Sequence, residues 1–190
     1  MRIHIIKRFA AAALATAALV CAGVTATTGV AAAGTGYAVS PGGTPYWIAA
    51  WSDSMPISVA DASYEDGHRI IQWWNTGGDE QKWYFDSVYF NNKYLGFMLR
   101  NKRSNLCIKS NGVAGGTAIQ TACRPDDNNQ IFTRGPVYDT AGILLAWTYT
   151  NLATGLRLDV EGNSTSGGAN IDLWYPNGDY NQAFFLTATG

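Results

Sequence analysis

Apolar and aromatic residues in this chain come in short runs. Tyr46–Trp51, Arg69–Trp74, Trp83–Phe85 and Gly142–Thr150 are rich in Ile, Val, Trp, Tyr and Phe. Gly, Asn, Asp and Pro interrupt them roughly every eight to twelve residues. Beyond the first 33 residues no segment keeps a helical period of useful length. Short β-branched and aromatic runs between tight turns predict an all-β domain.

The runs repeat. Ile57–Trp83 aligns with Leu158–Phe184 without a gap at an offset of 101. A third copy, Ile108–Phe132, lies about midway and is two residues shorter. Each copy ends in Gln, any residue, aromatic: Gln81-Lys82-Trp83, Gln130-Ile131-Phe132 and Gln182-Ala183-Phe184. Turn residues precede each ending, at Gly77-Gly78, Asp126-Asp127-Asn128 and Asn177-Gly178-Asp179. A copy of about 50 residues, or four short strands, cannot bury an apolar face alone. Three copies can, if they close around a pseudo-threefold axis and so remove exposed sheet edges. The expected fold is a β-trefoil with repeats at about 46–90, 94–137 and 143–187. Trp83, Phe132 and Phe184 are expected near the axis. The motif glutamines are expected to be partly buried and bonded to backbone, because an unpaired buried amide is costly.

The start of the chain has another character. Arg2, Lys7 and Arg8 precede the apolar run Phe9–Val24, and Ala31-Ala32-Ala33 offers a small-x-small cleavage pattern. Residues 1–33 read as a secretory signal peptide, too short and weakly hydrophobic for a membrane anchor. Val20 before Cys21 fits a lipidation site poorly. The mature chain is then 34–190, one domain, expected to be secreted. The leader holds three of the 13 Lys and Arg and none of the 14 Asp and Glu, which leaves the mature part at −4. Scattered charge of that sign gives no footprint for nucleic acid or anionic lipid. In an oxidising compartment Cys107 and Cys123, 16 apart, are expected to form one disulfide. Two Cys and the lone mature histidine, His68, are too few for zinc.

The three Gln-x-aromatic endings, Leu158-Asp159-Val160, Ile171-Asp172-Leu173-Trp174 and the Cys pair within one repeat together resemble the ricin B-type β-trefoil lectins. The resemblance spans roughly residues 46–187. Only one ending carries Trp itself, and the spacing near Cys123 is about one residue tighter than usual. The resemblance implies a shallow sugar site in each repeat. An Asp of the Leu-Asp-Val element accepts bonds from sugar hydroxyls, an aromatic lies under the ring, and an Asn before the motif Gln completes the set.

In the third repeat these positions hold Asp159, Trp174 and Asn181, with Asp172 and the motif Gln182 beside them. In the first, Ser58 and Glu80 replace Asp and Asn while Trp73 keeps the aromatic. In the second, Lys109 and Ala122 replace Asp and aromatic, and Asn129 remains. One sugar site is therefore expected in the third repeat, a degenerate one around Trp73, and none in the second. Structural roles stay open beside these: Asp159 as a surface carboxylate, Trp174 as core, Asn181 as a turn cap. Asn163-Ser164-Thr165 reads as loop.

Catalysis finds little support. His68 is the only base of its kind, and Glu65, Glu80 and Glu161 are not visibly paired across a cleft. No cofactor or metal is implied. The expected partner is a carbohydrate, of galactose or xylan type. The alternative is a non-catalytic interaction subunit of a secreted toxin or enzyme complex, built on a degenerate lectin trefoil.

Overall fold

A computed structural model describes residues 36–189. The expected signal peptide, with Cys21, lies outside the described residues. The strands are β1 (Tyr37–Ser40), β2 (Tyr46–Ala50), β3 (Ile57–Val59), β4 (Ile70–Gln72), β5 (Trp83–Phe90), β6 (Lys93–Asn101), β7 (Cys107–Lys109), β8 (Gly116–Thr117), β9 (Ile119–Thr121), β10 (Phe132–Tyr138), β11 (Leu144–Asn151), β12 (Arg157–Val160), β13 (Ile171–Trp174) and β14 (Phe184–Ala188). Helix is confined, among the described residues, to single 3-10 turns of three residues.

Six strands close into a barrel. β2 pairs β5, β5 pairs β6, β6 pairs β10, β10 pairs β11, β11 pairs β14, and β14 returns to β2. The hairpins β3–β4, β7–β9 and β12–β13 stand one per repeat. They meet one another through the bonds Ile70 N–H to Ala118 O (2.9 Å), Ala118 N–H to Ile171 O (2.8 Å) and Gln72 N–H to Ala169 O (2.9 Å). A six-stranded barrel capped by three hairpins is a β-trefoil, as the repeats predict.

The core explains why the copies need each other. Trp83, Phe132 and Phe184 are fully buried in one cluster with Ile57, Ile108, Leu158 and Tyr149. Each motif aromatic is also the first residue of a barrel strand, so one apolar ring per repeat fixes where hairpin meets barrel. The motif glutamines act as clamps beneath. The Gln81, Gln130 and Gln182 amides donate to the carbonyls of Trp74 (2.7 Å), Ala122 (2.9 Å) and Tyr175 (2.9 Å). Their side-chain oxygens accept from the backbone N–H of Thr76 (2.9 Å), Arg124 (2.7 Å) and Asn177 (3.3 Å). Each clamp fixes the loop after one hairpin and leaves no amide atom unpaired.

β1 lies ahead of the repeats and has no counterpart in them. It pairs along β5 from Tyr37↔Phe90 to Ser40↔Ser87. Tyr37 and Val39 pack on a second, smaller core of Val88, Met98, Cys107 and Ile131. The Cys107–Cys123 disulfide forms inside that cluster, with Cα atoms 5.0 Å apart.

Candidate functional site

The third hairpin builds the site by alternation. Leu158, Val160, Ile171 and Leu173 face the core and are buried. With a side-chain period of two, Asp159, Asp172 and Trp174 must then face outward. Register brings them together: Asp159 stands opposite Asp172, and Trp174 opposite Arg157. The chain returns through the turn Tyr180–Gln182, which lays Asn181 against Asp159.

These residues converge on one open hollow of about 410 Å³. Asp159, Asp172, Trp174 and Asn181 line it, with Glu161, Gly162, Asn163, Asn177 and Gly115. Trp174 is 43% exposed, so it is a wall of the hollow and not core. Gly115 comes from the middle repeat and has φ +76°; a Cβ there would sit 3.3 Å from the Trp174 ring. A side chain at that position would be strained by its backbone and would press on the indole.

Asp159 is held rigidly. Asn181 Nδ2 donates to one of its oxygens (2.7 Å) and Gln182 Nε2 to the other (2.8 Å). Gln182 therefore keeps the buried role expected of a motif glutamine and does not join the sugar-contacting set beside which it stands. Its side chain is fully buried and spent on Asp159, the Tyr175 carbonyl and the Asn177 N–H. It positions Asp159 from below.

The first repeat keeps the shape without the chemistry. A hollow of about 370 Å³ is lined by Ser58, Asp61, Arg69, Ile71, Trp73, Glu80 and Gly168 among others. Trp73 is 40% exposed, with Gly168 at the place Gly115 takes beside Trp174. Ser58 turns its hydroxyl to the Val59 carbonyl (3.2 Å), and Ile71 replaces Asp172. Its carboxylates, Asp61 and Glu80, stand elsewhere in the lining, and the paired positions of Asp159 and Asp172 hold none.

In the second repeat Lys109 bonds Asp127 (2.8 Å), and Asn129 donates to the same carboxylate (3.2 Å). One position needs correcting there. Strand register sets Thr121 opposite Cys107 as Trp174 is set opposite Arg157, so Thr121 and not Ala122 occupies the aromatic position. Ala122 instead matches Tyr175, since both carbonyls accept from the motif glutamine. An aromatic is missing from either position.

Burial shapes the charge of the third-repeat hollow. It raises the pKa of Asp159, against the lowering effect of the Gln182 and Asn181 amides. Burial, then the charges of Asp159 and Glu161, push Asp172 up to about 7. The groups acting on this pair are acidic: Glu161 on Asp172 and Asp179 on Asp159. The adjoining strand β8, Gly116–Thr117, adds no charge.

A carboxyl with a raised folded pKa binds its proton more tightly when folded. The stability it lends is full below about pH 4 and is lost as pH rises through about 7. Asp172→Asn should therefore flatten this part of the pH dependence and melt several degrees above wild type at pH 8. Thermal melts from pH 4 to 8 check it; an unchanged slope in the variant would place the titration elsewhere.

Residues 128–190, which include this whole hairpin and its closing turn, match the family model described as ricin-type beta-trefoil lectin domain-like. The chain resembles the ricin-type β-trefoil lectins. The match covers the repeat in which the polar and aromatic set is complete.

Solved structures agree in fold. The designed threefold-symmetric protein ThreeFoil is 26% identical, with a TM-score of 0.63 over 75% of this chain and 97% of its own. An exo-β-1,3-galactanase from Clostridium thermocellum is 23% identical, with a TM-score of 0.68 over 77% of this chain; this chain spans only 30% of that enzyme. The C-half of an earthworm R-type lectin, solved with GalNAc, is 18% identical, with a TM-score of 0.60 over 77% of this chain and all of its own. No curated protein matches the sequence.

Proposed function

We propose that this is a secreted, non-catalytic carbohydrate-binding protein with one shallow sugar site, in the third repeat. One observation carries the reading: Asp159, Asp172, Trp174 and Asn181 line a single open hollow, with a half-exposed indole beside two carboxylates. A pyranose has an apolar C–H face and a rim of hydroxyls, and this wall matches both. A carboxylate has about four acceptor directions, and the two amides on Asp159 use two of them. The rest remain for hydroxyls, held in a fixed direction by the bracing.

The same geometry argues against glycoside hydrolysis. Hydrolysis needs two carboxyls facing each other across the sugar. Asp159 and Asp172 are cross-strand neighbours on one wall, and both Asp159 oxygens are already engaged.

A single open site should be weak. A Kd of about 0.1–1 mM corresponds to only about 4–5.5 kcal/mol, so useful retention requires a repeating or clustered ligand. On arrays of galactose- and xylan-type glycans, wild type should be retained and eluted by free sugar. Asp159→Ala should lose about 2 kcal/mol, near thirtyfold, because it removes the charged acceptor for the sugar hydroxyls and frees the Asn181 amide that it holds in place. Equal retention of both proteins would remove Asp159 from recognition. A stoichiometric protein partner that free sugar does not release would favour an interaction subunit instead.

A further inference from the structure

We propose that the third-repeat hollow selects a pyranose bearing a protonated free amine over its neutral, N-acetylated or acidic counterparts. This rests on the carbohydrate reading of the same site and names the ligand class.

The wall is charged with one sign. Asp159, Glu161 and Asp172 line it, and no Lys, Arg or His does. Arg157, opposite Trp174 in the hairpin, is not part of the wall. Among the described residues, none of the salt bridges involves Asp159, Glu161, Asp172 or Arg157. Among the described residues no cation therefore pairs directly with the carboxylates of the hollow.

The unpaired atoms say the same thing more sharply. Asp172 and Asn181 are each more than nine-tenths buried, and both line the hollow. Asp172 Oδ1 and Asn181 Oδ1 have no hydrogen-bond partner. Asn181 cannot turn its amide over to offer a donor, because its Nδ2 is spent on Asp159. With Asp172 ionised both orphans are acceptors, and what the site then lacks is a donor.

Unpaired buried acceptors are costly, and a buried carboxylate without a counter-charge more so. A hydroxyl brings one donor and no charge; an ammonium brings three donors and a positive charge. The indole of Trp174 serves the same ligand, covering the ring C–H face and attracting the cation. N-acetylation removes the charge, and a uronic or sialic carboxylate would be repelled by the wall.

Isothermal titration at pH 7 and low salt tests this. It compares galactosamine with galactose and N-acetylgalactosamine, and glucosamine with glucose, on wild type, Asp172→Asn and Glu161→Gln. One or both amines should bind wild type about fivefold tighter than the parent sugar, an advantage that shrinks as salt is raised. In Asp172→Asn, with Asp159 and Glu161 still in place, the ratio of amine to parent affinity should fall to about twofold. Glu161 is exposed, so Glu161→Gln leaves the fold intact and should reduce the ratio in part. Amines that bind no tighter than their parents, or a preference undiminished in both variants, would overturn the proposal. Neutral sugars that bind without an amine preference would overturn it and leave the carbohydrate reading standing. Absence of binding by any sugar would overturn both.

Discussion

Trp83→Ala should lower the melting temperature by about 10–15 °C, the largest effect expected of any single substitution in this chain. Trp83 is fully buried at the junction of the first hairpin with barrel strand β5. Its indole N–H donates to the Ile57 carbonyl (3.0 Å), which ties β3 to the barrel. Truncation leaves a cavity and an orphan carbonyl together. Removal of a buried aromatic costs about 3–5 kcal/mol against a total of about 5–15 for a domain.

Trp83→Phe separates the two contributions. Phe132 and Phe184 occupy the same place in the other repeats, so a phenyl ring suits the junction. The loss should then be about 1–2 kcal/mol, mostly the carbonyl left unpaired. A Trp83→Ala protein that melts within a few degrees of wild type would mean the repeats are not joined through these rings.

The scaffold was legible because repetition states it three times. The Gln-x-aromatic endings recur in register, and a buried ring with a buried amide two residues earlier has few places to go in a barrel capped by hairpins. β1 was not legible for the same reason turned round. Tyr37–Ser40 precedes the first copy, and its packing on Val88 and Met98 depends on a long β5–β6 hairpin that no internal comparison reveals.

The site was partly legible. Asp159, Asp172 and Trp174 share an outer face by strand alternation alone, and Asn181 follows from its position next to the motif glutamine. Gly115 could not be foreseen, because it reaches the hollow from another repeat. Gln182 is buried and backbone-bonded as a motif glutamine should be, while its place beside the sugar set left a ligand contact open. An amide one residue from Asn181 can touch a ligand or brace the carboxylate that does, and only burial decides. Thr121, not Ala122, holds the aromatic position because the middle copy is two residues shorter, so counting back from its motif glutamine stops short of the strand register.

The second large effect concerns binding. Trp174 is the one large apolar surface in the third-repeat hollow. Its half-exposed ring should supply most of the favourable contact to a pyranose face, while contributing little to the core. Trp174→Ala should therefore weaken sugar binding by more than about tenfold and leave the melting temperature nearly unchanged. Trp73 is the matched control. It has nearly the same exposure and the same flanking glycine position, but Ser58 and Ile71 stand where Asp159 and Asp172 do.

The most direct measurement is calorimetric titration of one sugar bound by wild type into Trp174→Ala and Trp73→Ala side by side. A single third-repeat site predicts that Trp174→Ala loses the sugar and that Trp73→Ala binds within about twofold of wild type. Full affinity in Trp174→Ala, or its loss in Trp73→Ala instead, would contradict it.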